Sequence, residues 1–380
     1  MRTGSTREGN AFQMQKTLTA GLMLASSLAL FQCTSPPTMP TDLGTPDLAT
    51  APLPPVGTAI QAPANTWTWV DFPESSCDDG SPTGIGVNLN GSKDLLVFLN
   101  GGGACWDYTT CVQLPVSTHG PFGSAQFGAT VAGVGGSVLD RAAPNPFGSF
   151  NFAFVPYCTS DIHGGDNVIT YTNGSGTESK IFHHKGRANV TAYLTRLAAT
   201  VPPGGKIVVS GSSAGGFGSN MVYDLFHHYF PGSKIYLLDD SGPLFVGDAI
   251  QPALRSSWYA SWGLDRTLGP ICPTCKQDMS ALVSNLAAQF PSDRMALLSY
   301  TQDGVIRTYF GQTEAEFQAN LYSLAASKLD PLPQARYYFV TGTGHTFLGK
   351  PSATTAQGVP LWTWITQFVN DDAAWTSTKP

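Results

Sequence analysis

Ser213 sits inside Gly211-Ser212-Ser213-Ala214-Gly215, with Gly216 next. Flanking glycines suit a tight strand-to-helix turn, because they remove Cβ atoms that the turn would crowd. Such a turn lifts the serine hydroxyl above a sheet at a helix N-terminus, where backbone N–H groups favour developing negative charge. Ser212 is out of phase with the pattern and reads as scaffold. A nucleophilic serine needs a base, and the base needs an orienting carboxylate. Of seven histidines, only His345 follows a late apolar run, inside the loop Gly342-Thr343-Gly344-His345-Thr346-Phe347. His227 and His228 fall on the helix expected after the turn, and His183 and His184 precede the serine; these read as structural or solvated. His119 and His163 lie in long loops before the serine, in the wrong chain order. Two positions compete for the acid. Asp303 comes just after Leu297-Leu298-Ser299-Tyr300 and is favoured, while Asp239 or Asp240 ends the preceding run. The alternative reading of residues 239–242 is a turn whose carboxylates accept backbone N–H bonds. Finally, Asn100-Gly101-Gly102-Gly103-Ala104-Cys105-Trp106 follows another apolar run. Its backbone N–H groups, with that of Ala214, can hold a tetrahedral oxyanion, and losing one such donor costs ~3 kcal/mol of barrier.

These residues need strands that end at one edge of a sheet. Short apolar runs at 95–100, 152–156, 206–211, 234–239, 295–300 and 336–341 each finish in polar residues or glycine. Near-continuous apolar strands are expected where helices cover both faces of a sheet. Amphipathic stretches at 189–199, 218–229, 279–289, 314–328 and 361–370 lie between or after them. The alternation predicts an α/β fold: a doubly wound, mostly parallel sheet with helices on both faces. Residues 67–71 and 85–90 suit an antiparallel hairpin at its edge. The glycine-rich segment 117–148 shows no period and reads as a long surface excursion.

Composition narrows the setting. Only 12% of the 380 residues are Asp, Glu, Lys or Arg, and the formal charge is −6. That balance argues against a nucleic-acid binder, which carries a basic excess or stripe. The apolar segments are interrupted, which excludes a polytopic membrane protein. Lys16 is followed by an uncharged apolar run at 18–31, and the next charge is Asp42. About fourteen such residues are short for a membrane span and right for a signal-peptide core. Met14 makes a more ordinary start than Met1. Cys33 stands where a bacterial lipoprotein signal places its lipidated cysteine, although Gln32 departs from the small residue normal there. The expected organisation is a signal peptide over 1–33, a Pro/Thr-rich flexible tether over 34–65, and one catalytic domain over 66–380.

With these motifs in place, the chain resembles the pectin acetylesterase/Notum family of serine carboxylesterases. Gly102-Gly103-Ala104-Cys105, Val155-Pro156-Tyr157-Cys158-Thr159-Ser160-Asp161, Gly211–Gly216 and Gly344-His345 occur in the family's order. The similarity runs from about Trp67 to Val369. It implies an α/β-hydrolase fold, a Ser213–His345–Asp303 triad, and oxyanion donors at the backbone N–H groups of Gly103, Ala104 and Ala214. Two positions depart from the family pattern. Ala104 replaces a usual Trp, with Trp106 following instead, and Ser212 replaces a usual Cys. Both change pocket shape or disulfide pairing, and neither removes catalytic machinery.

If Cys33 belongs to the leader, six cysteines remain: Cys77, Cys105, Cys111, Cys158, Cys272 and Cys275. Six allow fifteen connectivities. Cys105–Cys111 would close a short loop beside the oxyanion segment, and Cys77–Cys158 would tie the early hairpin to the end of a strand. Cys272-Pro273-Thr274-Cys275 lacks a second pair for zinc and a thioredoxin-like context, so a local disulfide is expected. The expected activity is cofactor-independent and metal-independent hydrolysis of an O-acyl ester, acetyl foremost, with a polysaccharide such as pectin as the expected carrier. The expected location is secreted or on the cell envelope, with a membrane contact only through the lipid anchor. Trp258, Tyr259 and Trp262 suit either a substrate cleft or core packing. The rival readings are a non-catalytic surface-binding protein on a hydrolase scaffold and a polyester depolymerase. Acyl length, the alcohol and the oligomeric state are not encoded in these patterns.

Overall fold

The computed structural model describes residues 52–380, apart from Pro115 and Ala143. The leader, Cys33 and the first part of the tether lie outside these residues. Ten strands are used below: β1 (Thr68–Ser76), β2 (Pro82–Asn88), β3 (Leu95–Leu99), β4 (Asn151–Val155), β5 (Asn167–Thr172), β6 (Ser179–His184), β7 (Lys206–Ser212), β8 (Lys234–Asp240), β9 (Met295–Tyr300) and β10 (Ala335–Val340). Eight of them form one sheet in the order β1-β2-β4-β3-β7-β8-β9-β10. From β4 to β10 every neighbouring pair is parallel, while β1–β2 and β2–β4 are antiparallel. The six expected central strands and the edge hairpin are all present. β5 and β6 form a separate antiparallel pair.

The apolar runs resolve into two cores because side chains alternate across a strand. Leu95, Val97 and Leu99 of β3 join one core, together with Ile207 and Val209 of β7 and Ile235 and Leu237 of β8. Leu96, Phe98, Val208, Tyr236 and Leu238 join the other. Helices cover both faces: α1 (Ser124–Val131), α2 (Gly186–Thr200), α3 (Ala214–Met221), α4 (Tyr223–Tyr229), α5 (Pro252–Trp262), α6 (Leu264–Thr267), α7 (Ala281–Gln289), α8 (Ile306–Tyr309), α9 (Glu314–Leu324) and α10 (Leu361–Val369). The buried residues of α2, α4, α7 and α9 pack in the first core. α10 supplies Leu361, Trp364, Ile365 and Phe368 to the second. Truncating the fully buried Trp364 to alanine would cost about 3–5 kcal/mol. Among the described residues, no helix is long and apolar enough to cross a membrane.

Two expectations change. Residues 117–148 are not a surface excursion: Phe122, Phe127, Val138, Leu139 and Phe147 are buried in the second core, which α1 helps to roof. Their aromatic content, rather than any period, marks that role. Nor does the described end of the expected tether hang free. Ile60 is buried, its N–H donates to Thr200 Oγ1, Gly57 N–H donates to the Thr195 carbonyl, and Tyr229 Oη donates to the Pro54 carbonyl. Residues 54–62 therefore pack against α2 and α4, upstream of the expected domain start at 66.

Candidate active site

β7 delivers Ser213 and α3 begins at the next residue. Ser213 has φ +61° and ψ −122°, a strained conformation for a residue with a Cβ. The turn closes only because Gly215 is bare: a Cβ there would lie 1.9 Å from the Leu99 carbonyl oxygen. Ser213 N–H donates to the Asp240 carbonyl at 2.8 Å. Ala214 holds the first position of α3, so its N–H is one of the donors without an intrahelical partner.

The carboxylate and imidazole of the expected triad come from loops after neighbouring strands. Past the ends of β9 and β10 the two loops remain laced together, with Gln302 N–H on the Gly342 carbonyl and Gly304 N–H on the Thr343 carbonyl, both at 3.0 Å. This lacing brings Asp303 Oδ2 to 2.8 Å from His345 Nδ1. Asp303 is fully buried, and its other oxygen accepts the N–H groups of Val305 (2.9 Å) and Ile306 (3.0 Å). Both carboxylate oxygens are therefore satisfied, and Nδ1 of the imidazole is the nitrogen that carries the proton. That leaves Nε2 without a proton and open to accept one. No hydrogen bond joins Ser213 Oγ to His345 among the described residues. Such contacts are commonly long before substrate binds.

Asp240 does not compete for the imidazole. Its carboxylate accepts Ser212 Oγ (2.7 Å), Phe347 N–H (2.9 Å) and Leu348 N–H (3.0 Å). Asp239 accepts Asn220 Nδ2 and Gly242 N–H, both at 2.8 Å. The turn reading of 239–242 thus matches both residues, and Ser212 acts as a link between the elbow and Asp240.

The glycine loop adjoins the serine. A Cβ on Gly101 would come within 3.0 Å of Ser213 Cβ, and Gly103 takes φ +77°. Ala104, Ile162, Ala214, Phe217, Trp258, Ile306, Tyr309 and Phe310 wall a pocket that opens on Ser213 and Gly103. Of the three aromatic candidates on α5, only Trp258 reaches this pocket. Trp262 is buried with Nε1 donating to the Cys105 carbonyl at 2.8 Å, and Tyr259 is buried in the core.

Two residues outside the expected site support this loop. His163 Nε2 meets the Asn100 carbonyl at 2.9 Å; burial pushes its pKa down to about 4, so it is a neutral donor. Tyr157 Oη donates to the Gly103 carbonyl at 2.7 Å. Chain order excluded His163 as a base but carried no sign that it holds a carbonyl. Three others hold structure, since His184 bonds Thr159 and Tyr171, His227 bonds Asp293, and His119 pairs with Asp78, while His228 is exposed. The six cysteines form Cys77–Cys158, Cys105–Cys111 and Cys272–Cys275 disulfides, as their spacing suggested. Among the described residues, no group of three His, Cys, Asp or Glu side chains could hold a metal ion.

The sequence profile of the pectinacetylesterase family matches residues 64–280, more than half of the chain. This chain belongs to that family. The matched span contains the glycine loop, Tyr157 and Ser213 and stops short of Asp303 and His345. Among relatives, the palmitoleoyl-protein carboxylesterase NOTUM of Drosophila melanogaster is 28% identical over 203 residues, 50% of this chain and 30% of its own length. The Homo sapiens protein of the same name is 27% identical over 175 residues, 44% of this chain and 34% of its own length. The chain thus matches about a third of the length of these relatives. A Danio rerio relative named as an inactive palmitoleoyl-protein carboxylesterase is 34% identical over 101 residues, 26% of this chain and 72% of its own. The solved structure of the Wnt deacylase Notum from Drosophila shares the fold, with a TM-score of 0.56 and 17% identity over 81% of this chain and 93% of that one. The α/β-hydrolase architecture expected for the family is therefore present.

Proposed function

We propose that this protein is an extracytoplasmic serine carboxylesterase that hydrolyses short O-acyl esters, acetyl foremost, with Ser213, His345 and Asp303 as its triad. The reading rests chiefly on the 2.8 Å contact between His345 Nδ1 and the fully buried Asp303 carboxylate, two loops from different strands meeting beside a strained serine turn. Family membership supports ester hydrolysis as the reaction class. In the proposed cycle, His345 Nε2 takes the Ser213 proton as Oγ attacks the ester carbonyl. The N–H groups of Gly103, Ala104 and Ala214 receive the oxyanion. The imidazolium, stabilised by Asp303, returns its proton to the departing alcohol. Water, activated by the same histidine, then releases the acid and restores the serine.

Pocket size supports a short acyl group. Ala104, Ile162, Phe217, Trp258, Ile306 and Phe310 each retain 5% or less of their surface. A channel wide enough for a long chain would leave these walls wet. Phe310 closes the pocket by packing against Phe217 and Trp258, with ring centroids 6.1 and 6.3 Å apart. The three disulfides support an oxidising compartment, secreted or on the cell envelope. A polysaccharide such as acetylated pectin is the proposed carrier of the ester, in keeping with the family's description.

A fluorophosphonate probe and a p-nitrophenyl ester series test the proposal. The expected result is a single adduct on Ser213, with turnover falling from acetate to decanoate. A folded protein that takes no adduct would establish the non-catalytic binding reading instead. Turnover restricted to long acyl chains, or to a polyhydroxyalkanoate, would refute the deacetylase reading.

A further inference from the structure

The glycine loop is held from outside by its carbonyl groups. His163 Nε2 holds that of Asn100 (2.9 Å), Thr118 N–H that of Gly102 (2.7 Å), and Tyr157 Oη that of Gly103 (2.7 Å). The last contact bears most directly on chemistry. A trans peptide carries its C=O and its N–H on opposite sides. Fixing the Gly103 carbonyl on Tyr157 therefore turns the Ala104 N–H the other way. Close beside this peptide stands Tyr309: a Cβ on Gly103 would lie 2.3 Å from its phenol oxygen, which donates to the Val116 carbonyl and belongs to a side chain lining the Ser213 pocket.

Tyr157 is built to hold its position. It is fully buried, its oxygen also accepts Ile162 N–H at 2.9 Å, and its ring lies against His163 with centroids 4.9 Å apart. A Cβ on Gly102 would sit 2.6 Å from the ring, so the loop rests directly on the aromatic face. Burial raises the phenol well above its usual pKa, which keeps it a hydrogen-bond donor.

We propose that Tyr157 is the positioning residue of the oxyanion site: by holding the Gly103 carbonyl, it aims the Ala104 N–H at the oxygen that becomes negatively charged during attack by Ser213. The inference rests on the esterase reading of Ser213. Tyr157 touches no reacting atom; it acts through the peptide it orients. The hydroxyl of Tyr309 stands beside that peptide as a competing oxygen.

The test compares the full-length wild type with Tyr157→Phe and Tyr309→Phe. Readouts are kcat and KM on p-nitrophenyl acetate, the inhibition constant of phenylboronic acid, fluorophosphonate labelling and thermal melting. The boronate adduct of a serine places an oxygen where the oxyanion forms, so its affinity reports the donor's aim. For Tyr157→Phe, kcat falls about 10- to 100-fold, less than outright loss of a donor, and boronate binding weakens by the same factor while KM stays within about 2-fold. For Tyr309→Phe, boronate binding tightens about 3-fold, because a competing oxygen is gone from beside the Gly103 peptide. A folded, labelled Tyr157→Phe protein with unchanged kcat and boronate affinity overturns the proposal. So does a rise in KM alone. If Tyr157→Phe does not fold, a 10-fold or greater loss of boronate affinity in Tyr309→Phe overturns it, since Tyr309 would then be what orients the donor. A wild type with neither turnover nor label instead refutes the esterase reading, and the proposal falls with it.

Discussion

Asp240 accepts the backbone N–H of Phe347 at 2.9 Å and thereby ties the end of β8 to the loop that carries His345. The same residue holds the serine turn, through Ser212 Oγ on its carboxylate and Ser213 N–H on its carbonyl. Phe347 adds a second anchor by stacking on Tyr300 at 4.3 Å. Asp240 therefore sets where His345 and Ser213 stand relative to each other, while Asp303 sets which imidazole nitrogen carries the proton.

These two aspartates give separable outcomes. Asp303→Asn retains an oxygen for the N–H groups of Val305 and Ile306, so its melting temperature stays near that of the wild type. Its kcat falls on the order of 10,000-fold, through loss of the productive tautomer. Asp240→Asn turns an amide NH2 toward backbone N–H groups and destabilises the domain by about 1–3 kcal/mol, with a smaller kinetic loss. Steady-state kinetics and melting on both variants check this. The reverse pattern would reassign the acid to Asp240.

On the proposed reading, Phe310 at the pocket wall limits acyl length. Phe310→Ala removes the ring that packs on Phe217 and Trp258. The expected result is a rise of about 10-fold in the octanoate-to-acetate ratio of kcat/KM, about 1.4 kcal/mol of added apolar contact for the longer chain. A cost of about 3–5 kcal/mol in stability accompanies the cavity. An unchanged ratio would mean that acyl groups bind elsewhere.

The disulfides differ in what they constrain. Cys77–Cys158 spans 81 positions, whereas Cys272–Cys275 spans three. On loop-closure entropy, replacing the first pair with serine costs about 4 kcal/mol and the second about 2 kcal/mol. Urea unfolding of the two double variants measures the difference. Equal losses would show that residual structure or native strain, rather than loop length, governs them.

Burial pushes the Asp239 carboxyl up from its ordinary 3.8 to about 7, against the pull of its Asn220 and Gly242 hydrogen bonds. The folded state thus holds this proton more tightly than the unfolded chain. Its contribution is full below about pH 4 and is lost as pH rises to about 7. Asp239→Asn removes that titration. Unfolding free energies measured from pH 4 to 8 are expected to fall less steeply with rising pH in the variant than in the wild type. Parallel profiles would place the proton elsewhere.

Local sequence sufficed for much of this protein. Apolar runs of five to seven residues specify the central strands, because a strand buried on both faces leaves no place for charge. Glycines at fixed offsets specify the serine turn, because only a bare Cα passes the Leu99 carbonyl at that distance. Chain order and the position of Asp303 past β9 were enough to single out Asp303 and His345, which meet at 2.8 Å. Tertiary structure decided what depends on contacts between distant segments. It placed Phe122, Phe127 and Phe147 in a core rather than on the surface, and docked residues 54–62 on α2 and α4. It separated Asp240, the last residue of β8, from Asp303 in the loop after β9, two buried carboxylates reached by different donors. It also gave Tyr157 and His163 their hold on the glycine loop, 54 and 63 residues from the carbonyls they bind. A hydrogen bond across that span leaves no period or spacing in the chain, so only the folded molecule reveals it.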